Sequence, residues 1–194
     1  MFFLLTTNAI FITYSCNKSE NDVSVIPCVE EEYHEYQDSN FHIGIPGDME
    51  FGVGSAQKLG ADWASSLRVF AVNDTTLVFD FTTLPNSDKG RYIESLFIQS
   101  VDKREGCYSL MADNPEGPLA FYDLIEIDIG IGEYMLFQED NLVNIIEITQ
   151  LNGDSIRGSF AMSFLDTSEF AGSPGSEPEI IRFYNGSFEA VIQE

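Results

Sequence analysis

Residues 142–164, Leu-Val-Asn-Ile-Ile-Glu-Ile-Thr-Gln-Leu-Asn-Gly-Asp-Ser-Ile-Arg-Gly-Ser-Phe-Ala-Met-Ser-Phe, read as two strands joined by a tight turn. Ile146 and Ile148 lead into Asn152-Gly153, a hairpin signal because glycine, and to a lesser degree asparagine, tolerates positive φ. On the return, Ile156, Phe160, Met162 and Phe164 fall on one parity and Arg157, Ser159 and Ser163 on the other. That period of two marks a strand with one buried face. Gly158 shares the inward parity, where it leaves room for an aromatic ring or marks a bulge.

The same period recurs on both sides of this hairpin. Met49, Phe51 and Val53 alternate; Leu67, Val69 and Ala71 follow, then a turn at Asn73-Asp74, then Leu77, Phe79 and Phe81 with Asp80 facing away. Further strands are expected over 92–100, 107–110, 133–137 and 180–192. Leu119, Phe121, Ile125, Ile127 and Ile129 share one parity, with Glu126 and Asp128 on the other. No segment carries a helical stripe, and turn formers such as Pro85-Asn86-Ser87-Asp88-Lys89-Gly90 punctuate the chain. About ten short strands imply an all-β fold: an antiparallel sandwich or calycin-like barrel of about 8–10 strands. The expected core includes Phe79, Phe81, Ile127, Ile148, Ile156, Phe160, Met162 and Phe188. Asp80, Asp128, Arg157 and Glu189 are expected on opposite faces.

The N-terminus has another character. An apolar run from Phe2 to Ile12, too short to span a bilayer as a helix, fits the h-region of a secretory signal. Its end, Thr13-Tyr14-Ser15-Cys16, resembles the lipobox of bacterial lipoproteins, which implies cleavage before Cys16 and lipid on its thiol. The polar, acid-tipped stretch that follows resembles the export signal of Bacteroidota lipoproteins sent to the cell surface. The expected division is a signal peptide over 1–15, a lipidated polar tether over 16–46 and a single β domain over 47–194. The localisation implied is the outer membrane, on its cell-surface or periplasmic face.

Removing 15 residues leaves 194 − 15 = 179, enough for one domain with a full core. Nine basic residues stand against 32 acidic ones, a net charge of −23. Such a polyanion repels phosphate and gains no counterion release, so nucleic acid is not an expected partner. With Cys16 given to lipid, Cys28 and Cys107 remain, an even pair in an oxidising compartment. A bridge would close a loop of about 80 residues, worth on the order of 4 kcal/mol. Two buried thiols are the alternative.

Three segments resemble a group of Bacteroidota lipoproteins. Tyr92-Ile93-Glu94-Ser95-Leu96-Phe97-Ile98 with Glu105-Gly106-Cys107-Tyr108-Ser109-Leu110 resembles their mid-domain strands. Residues 144–160 resemble their penultimate hairpin, and Ile181-Arg182-Phe183-Tyr184-Asn185-Gly186-Ser187-Phe188 their closing strand. The resemblance implies a β-sandwich or calycin-like barrel on a lipid anchor and carries no activity with it. The chain departs from that pattern before Trp63, where Gln57-Lys58-Leu59-Gly60-Ala61-Asp62 stands in place of an Asn-Gly-type turn.

Chemistry-bearing motifs are sparse. The two histidines, His34 and His42, both fall in the expected tether, and Glu30-Glu31-Glu32 with His34 and Glu35 lacks zinc-site spacing. No Gly-x-Ser-x-Gly elbow occurs, and Gly52-Val53-Gly54 and Gly130-Ile131-Gly132 are incomplete phosphate loops. No cofactor and no metal is expected. Trp63, Tyr33 and Tyr36 are the candidates for a sugar-binding face. Asp74-Thr75-Thr76 and Asp154-Ser155-Ile156 resemble the O-glycosylation motif of Bacteroidota secreted proteins. The leading expectation is a non-catalytic binding or interaction module, held at the membrane by its lipid and facing a glycan or protein partner. A carrier of a small apolar ligand and a glycan-acting enzyme with paired carboxylates are the alternatives. A filled interior favours the module and a hollow one the carrier.

Overall fold

Alternating burial along consecutive antiparallel strands curls this chain into a closed barrel. The computed structural model describes residues 42–85, 92–112, 117–126, 129–138, 143–168 and 178–194. Its strands are β1 (Ile45–Pro46), β2 (Gly52–Lys58), β3 (Ala61–Asn73), β4 (Thr76–Leu84), β5 (Ile93–Asp102), β6 (Gly106–Ser109), β7 (Leu119–Glu126), β8 (Ile129–Leu136), β9 (Ile145–Asn152), β10 (Ser155–Asp166) and β11 (Ile180–Gln193). The barrel runs β2-β3-β4-β5-β7-β8-β10-β11 and closes where β11 pairs with β2. Of the two expected architectures, the barrel is the one formed. β9 pairs with the first half of β10, on the edge that β8 takes further along, β6 extends the sheet from β9, and β1 pairs with the end of β4. Closure removes the exposed edges that an open sheet of this length would carry.

The hairpin expected at Asn152-Gly153 is β9–β10. Asn152 pairs with Ser155, so the turn itself is Gly153-Asp154, with Gly153 at φ 59°. Gly158 meets both of its expected roles. A bulge in the β9 pairing falls between Arg157 and Gly158, and a Cβ on Gly158 would lie 2.4 Å from Cζ of Phe188. Beyond Phe160 the alternation fails, and Ser163, expected outside, is buried. There β10 exchanges β9 for β8, and Asn144 fills the fork: its amide donates to the Phe137 carbonyl and accepts from the Ser163 N–H. At the β2–β3 turn Leu59 and Gly60 have φ of 49° and 84°, so the turn before Trp63 has the backbone that Asn-Gly usually supplies.

The interior is occupied by aromatic rings in mutual contact. Trp63 packs on Phe183 at 4.9 Å and reaches Phe81 at 6.3 Å between centroids. Phe81 lies 5.1 Å from Phe160 and 6.4 Å from Phe188, which stacks edge-on with Phe79 at 5.3 Å. Tyr122 joins Phe183, Tyr134 and Phe164 at 5.3, 5.4 and 5.8 Å. Phe79, Phe81, Ile148, Ile156, Phe160, Met162 and Phe188 are buried as expected; Ile127 and Asp128 lie outside the described residues. Arg157 and Glu189 are exposed and Asp80 is half-buried on the outer parity.

Two parities are reversed from expectation. In β2 the inward positions are Gly54, Ala56 and Lys58, while Val53 is exposed and Met49, just before the strand, lies in solvent. The ring of Phe81 takes the room: a Cβ on Gly54 would sit 2.5 Å from it. In β7 the buried positions are Ala120, Tyr122 and Leu124, and Leu119, Phe121 and Ile125 face outward. Within the expected tether, His42 and Gly44 are buried, and β1 pairs with the end of β4.

Candidate functional site

One end of the barrel holds a charge pair that the sequence reading missed. Lys58 ends β2, Trp63 is the third residue of β3, Thr83 the last but one of β4 and Glu94 the second of β5, so positions near strand ends gather all four at one rim. Lys58, Thr83, Glu94 and Tyr122 are 0% exposed and Trp63 1%. The Lys58 ammonium donates to Glu94 Oε1, to the His42 carbonyl at 2.7 Å and to the Tyr122 hydroxyl at 2.8 Å. That hydroxyl in turn donates a hydrogen bond to Glu94 Oε1 at 2.6 Å. Glu94 Oε2 accepts from Gly44 N at 2.9 Å, Trp63 Nε1 at 3.0 Å and Thr83 Oγ1 at 3.1 Å.

Burial by itself would push the Glu94 carboxyl up. The Lys58 charge and the hydrogen bonds from Lys58, Tyr122 and Gly44 outweigh it and hold the group below its usual value. Glu94 is thus a fixed anion with its lone pairs engaged, unsuited to taking and returning a proton at neutral pH. Lys58 and Glu94 both bind backbone atoms of residues 42–44, so the pair pins that segment over the barrel end. Gly44 permits the approach: a Cβ there would lie 2.0 Å from Thr83 Oγ1. The arrangement is a clasp. The sequence did carry a signal for it, because Glu94 shares the inward parity of Leu96 and Ile98, and Lys58 that of Gly54 and Ala56.

The second feature is on the outside. Phe97, Phe121, Met135, Leu165 and Ile180 occupy paired positions on β5, β7, β8, β10 and β11. All face outward, Met135 is 43% exposed and the others are half-buried. With strands about 4.8 Å apart, the row runs about 19 Å along the sheet. Along β7 and β8 it continues into Asp123 and Glu133, which are cross-strand partners. Burial first, and the Glu133 charge second, push the Asp123 carboxyl above its usual value.

Cys16, Cys28, His34, Tyr33 and Tyr36 lie outside the described residues, and with them the lipid site, the proposed bridge and part of the glycan face. Cys107 is half-buried on β6. Trp63 is no surface platform, because its ring is in the core and its N–H is bound to Glu94. Thr75 and Ser155, of the two glycosylation-like triplets, are exposed beside hairpin turns. The two glycine-bearing stretches set aside as phosphate loops lie in β2 and β8. Among the described residues no group of three or more His, Cys, Asp or Glu is placed to hold a metal ion. No family model, no curated protein and no solved structure matches this chain.

Proposed function

We propose that this chain is a non-catalytic binding module of the bacterial cell envelope, held at the outer membrane by lipid on Cys16 and engaging its partner with the outside of its barrel. The observation that carries the reading is the contiguous set of rings from Trp63 to Tyr134 and from Phe79 to Phe188 inside the barrel. A carrier needs that volume for its ligand. An enzyme with paired carboxylates needs them to flank a substrate, and Asp123 and Glu133 stand on a convex outer wall.

Trp63 is the sole tryptophan of the chain and sits in that interior. Titrating the protein with a dibrominated fatty acid is expected to leave Trp63 fluorescence without saturable quenching. Stoichiometric, saturable quenching would replace the module with a carrier. For the anchor, intact-mass analysis of membrane-extracted protein is expected to find residues 1–15 removed and Cys16 acylated, and Cys16→Ser should abolish both. A water-soluble species with an unmodified Cys16 thiol would sink that part of the proposal.

A further inference from the structure

Over residues 119–125, β7 is apolar on its inner face and, apart from Asp123, on its outer face as well. Ala120, Tyr122 and Leu124 point into the barrel, while Leu119, Phe121 and Ile125 point out of it. A strand of that composition belongs to a sheet covered on both sides. Here β5, β7 and β8 make their extensive contacts only with sheet neighbours among the described residues. Phe97, Phe121 and Met135 are therefore the centre of an outer layer with no described second layer over it. Contiguous apolar surface of this kind on a soluble domain marks an interaction site.

Charge selects the occupant. Two strand positions beyond the apolar pair Phe121–Met135 lie Asp123 and Glu133, side by side, and among the described residues neither is in an ion pair. Asp123 is already partly desolvated, so an approaching cation would find a poorly hydrated carboxylate. A second copy of the chain would set a further −23 against the first. The chain's own tether is a poor fit too, with Glu30-Glu31-Glu32 and Glu35 against Lys18. Resting on the binding-module reading above, we propose that the outer face of β5, β7 and β8 docks a protein segment that presents apolar side chains flanked by Lys or Arg.

The probe is a short Leu/Lys amphipathic helical peptide, titrated into the full chain beside a Leu/Glu peptide of the same pattern. The Leu/Lys peptide is expected to bind saturably and the Leu/Glu peptide not at all. Phe121→Ser with Met135→Ser, and separately Asp123→Asn with Glu133→Gln, should each weaken binding at least about tenfold. The near-isosteric carboxylate pair guards against loss of fold in the apolar pair. Val72→Ser, and Asp48→Asn with Glu50→Gln, change exposed residues elsewhere and should leave affinity unchanged. Equal weakening by Asp48→Asn with Glu50→Gln would reduce the effect to attraction by a polyanion and overturn the proposal. Binding of phosphatidylcholine vesicles through Phe121 and Met135 would overturn it in favour of a lipid surface. A dimer abolished by those same substitutions would do so in favour of self-association. Peptide binding alongside fatty-acid quenching of Trp63 would refute the filled-interior reading alone, so the two failures are distinguishable.

Discussion

Replacing Glu94 with leucine is expected to destabilise the domain by about 3–5 kcal/mol, the scale for stranding one partner of a buried ion pair. Lys58 would keep the His42 carbonyl and the Tyr122 hydroxyl but lose the Glu94 counter-charge in a fully buried site. Lys58→Met strands the carboxylate instead and should cost a similar amount. Domains of this size are stable by about 5–15 kcal/mol, so either change removes a large share. The double variant should lose less than the two singles combined, because no lone charge remains buried. It should not return to the wild-type value, however. Gly44 N, Trp63 Nε1 and Thr83 Oγ1 would all lose their acceptor, at about 1–3 kcal/mol for each donor left unsatisfied. Denaturant melts of the four proteins make the cycle. Strictly additive losses would mean that Lys58 and Glu94 do not act as a pair.

The same carboxylate sets a pH dependence whose sign follows from its lowered value. A group held lower in the folded than in the unfolded state adds stability that is fully present above the unfolded value, about 4.3 for glutamate. That stability disappears as pH falls through the lower folded value. Glu94→Gln is therefore expected to narrow its deficit against the wild type as pH is brought below about 4. A deficit that stays constant from neutral to acid pH would deny Glu94 this role.

How much of this was legible in the sequence depends on what period-two patterns contain. Where the inward residues are large and the outward ones polar, as in Phe79-Asp80-Phe81 and Ile156-Arg157, the strand and its inner face follow directly. β2 misleads because its inner positions are Gly54, Ala56 and Lys58, small or charged, to accommodate the Phe81 ring and the clasp. Hydrophobicity there sits on Val53, which faces water. β7 misleads in another way: both parities are largely apolar, Asp123 excepted, and isoleucines at 125, 127 and 129 draw the inner face to the wrong side. The reason it is apolar outside is the reason it is a docking candidate. The buried pair was missed because Lys and Glu are ordinarily surface residues, and only their parity with apolar neighbours marks them. Residues 42–46 read as tether because a segment of five residues pinned through backbone atoms leaves almost no side-chain pattern.

Inside and outside can be told apart by three alanine substitutions. Phe160→Ala should cost about 3–5 kcal/mol, the usual range for emptying a buried aromatic site. Its ring is 0% exposed, lies against Phe81 and fills the space beside Gly186, where a Cβ would come within 2.7 Å of it. Neighbouring rings cannot collapse into the gap without leaving their own contacts, so the cost should sit well above simple transfer of a side chain. Arg157, three residues earlier and on the outer parity, pairs with Glu189 across β10 and β11, both more than half exposed at 53% and 56%. Solvent and salt screen such a pair, so Arg157→Ala should cost about 0.2–1 kcal/mol. Phe121→Ala is the discriminating case. The sequence pattern would put Phe121 with Phe160, whereas the barrel turns it outward and half-exposes it, which limits the loss to about 1 kcal/mol. Equal losses for Phe121 and Phe160 in denaturant melts would mean that β7 is inserted with its other face inward. A one-residue slip of that kind would bury Asp123, bring Tyr122 away from Lys58 and Glu94, and dismantle the clasp and the outer face together.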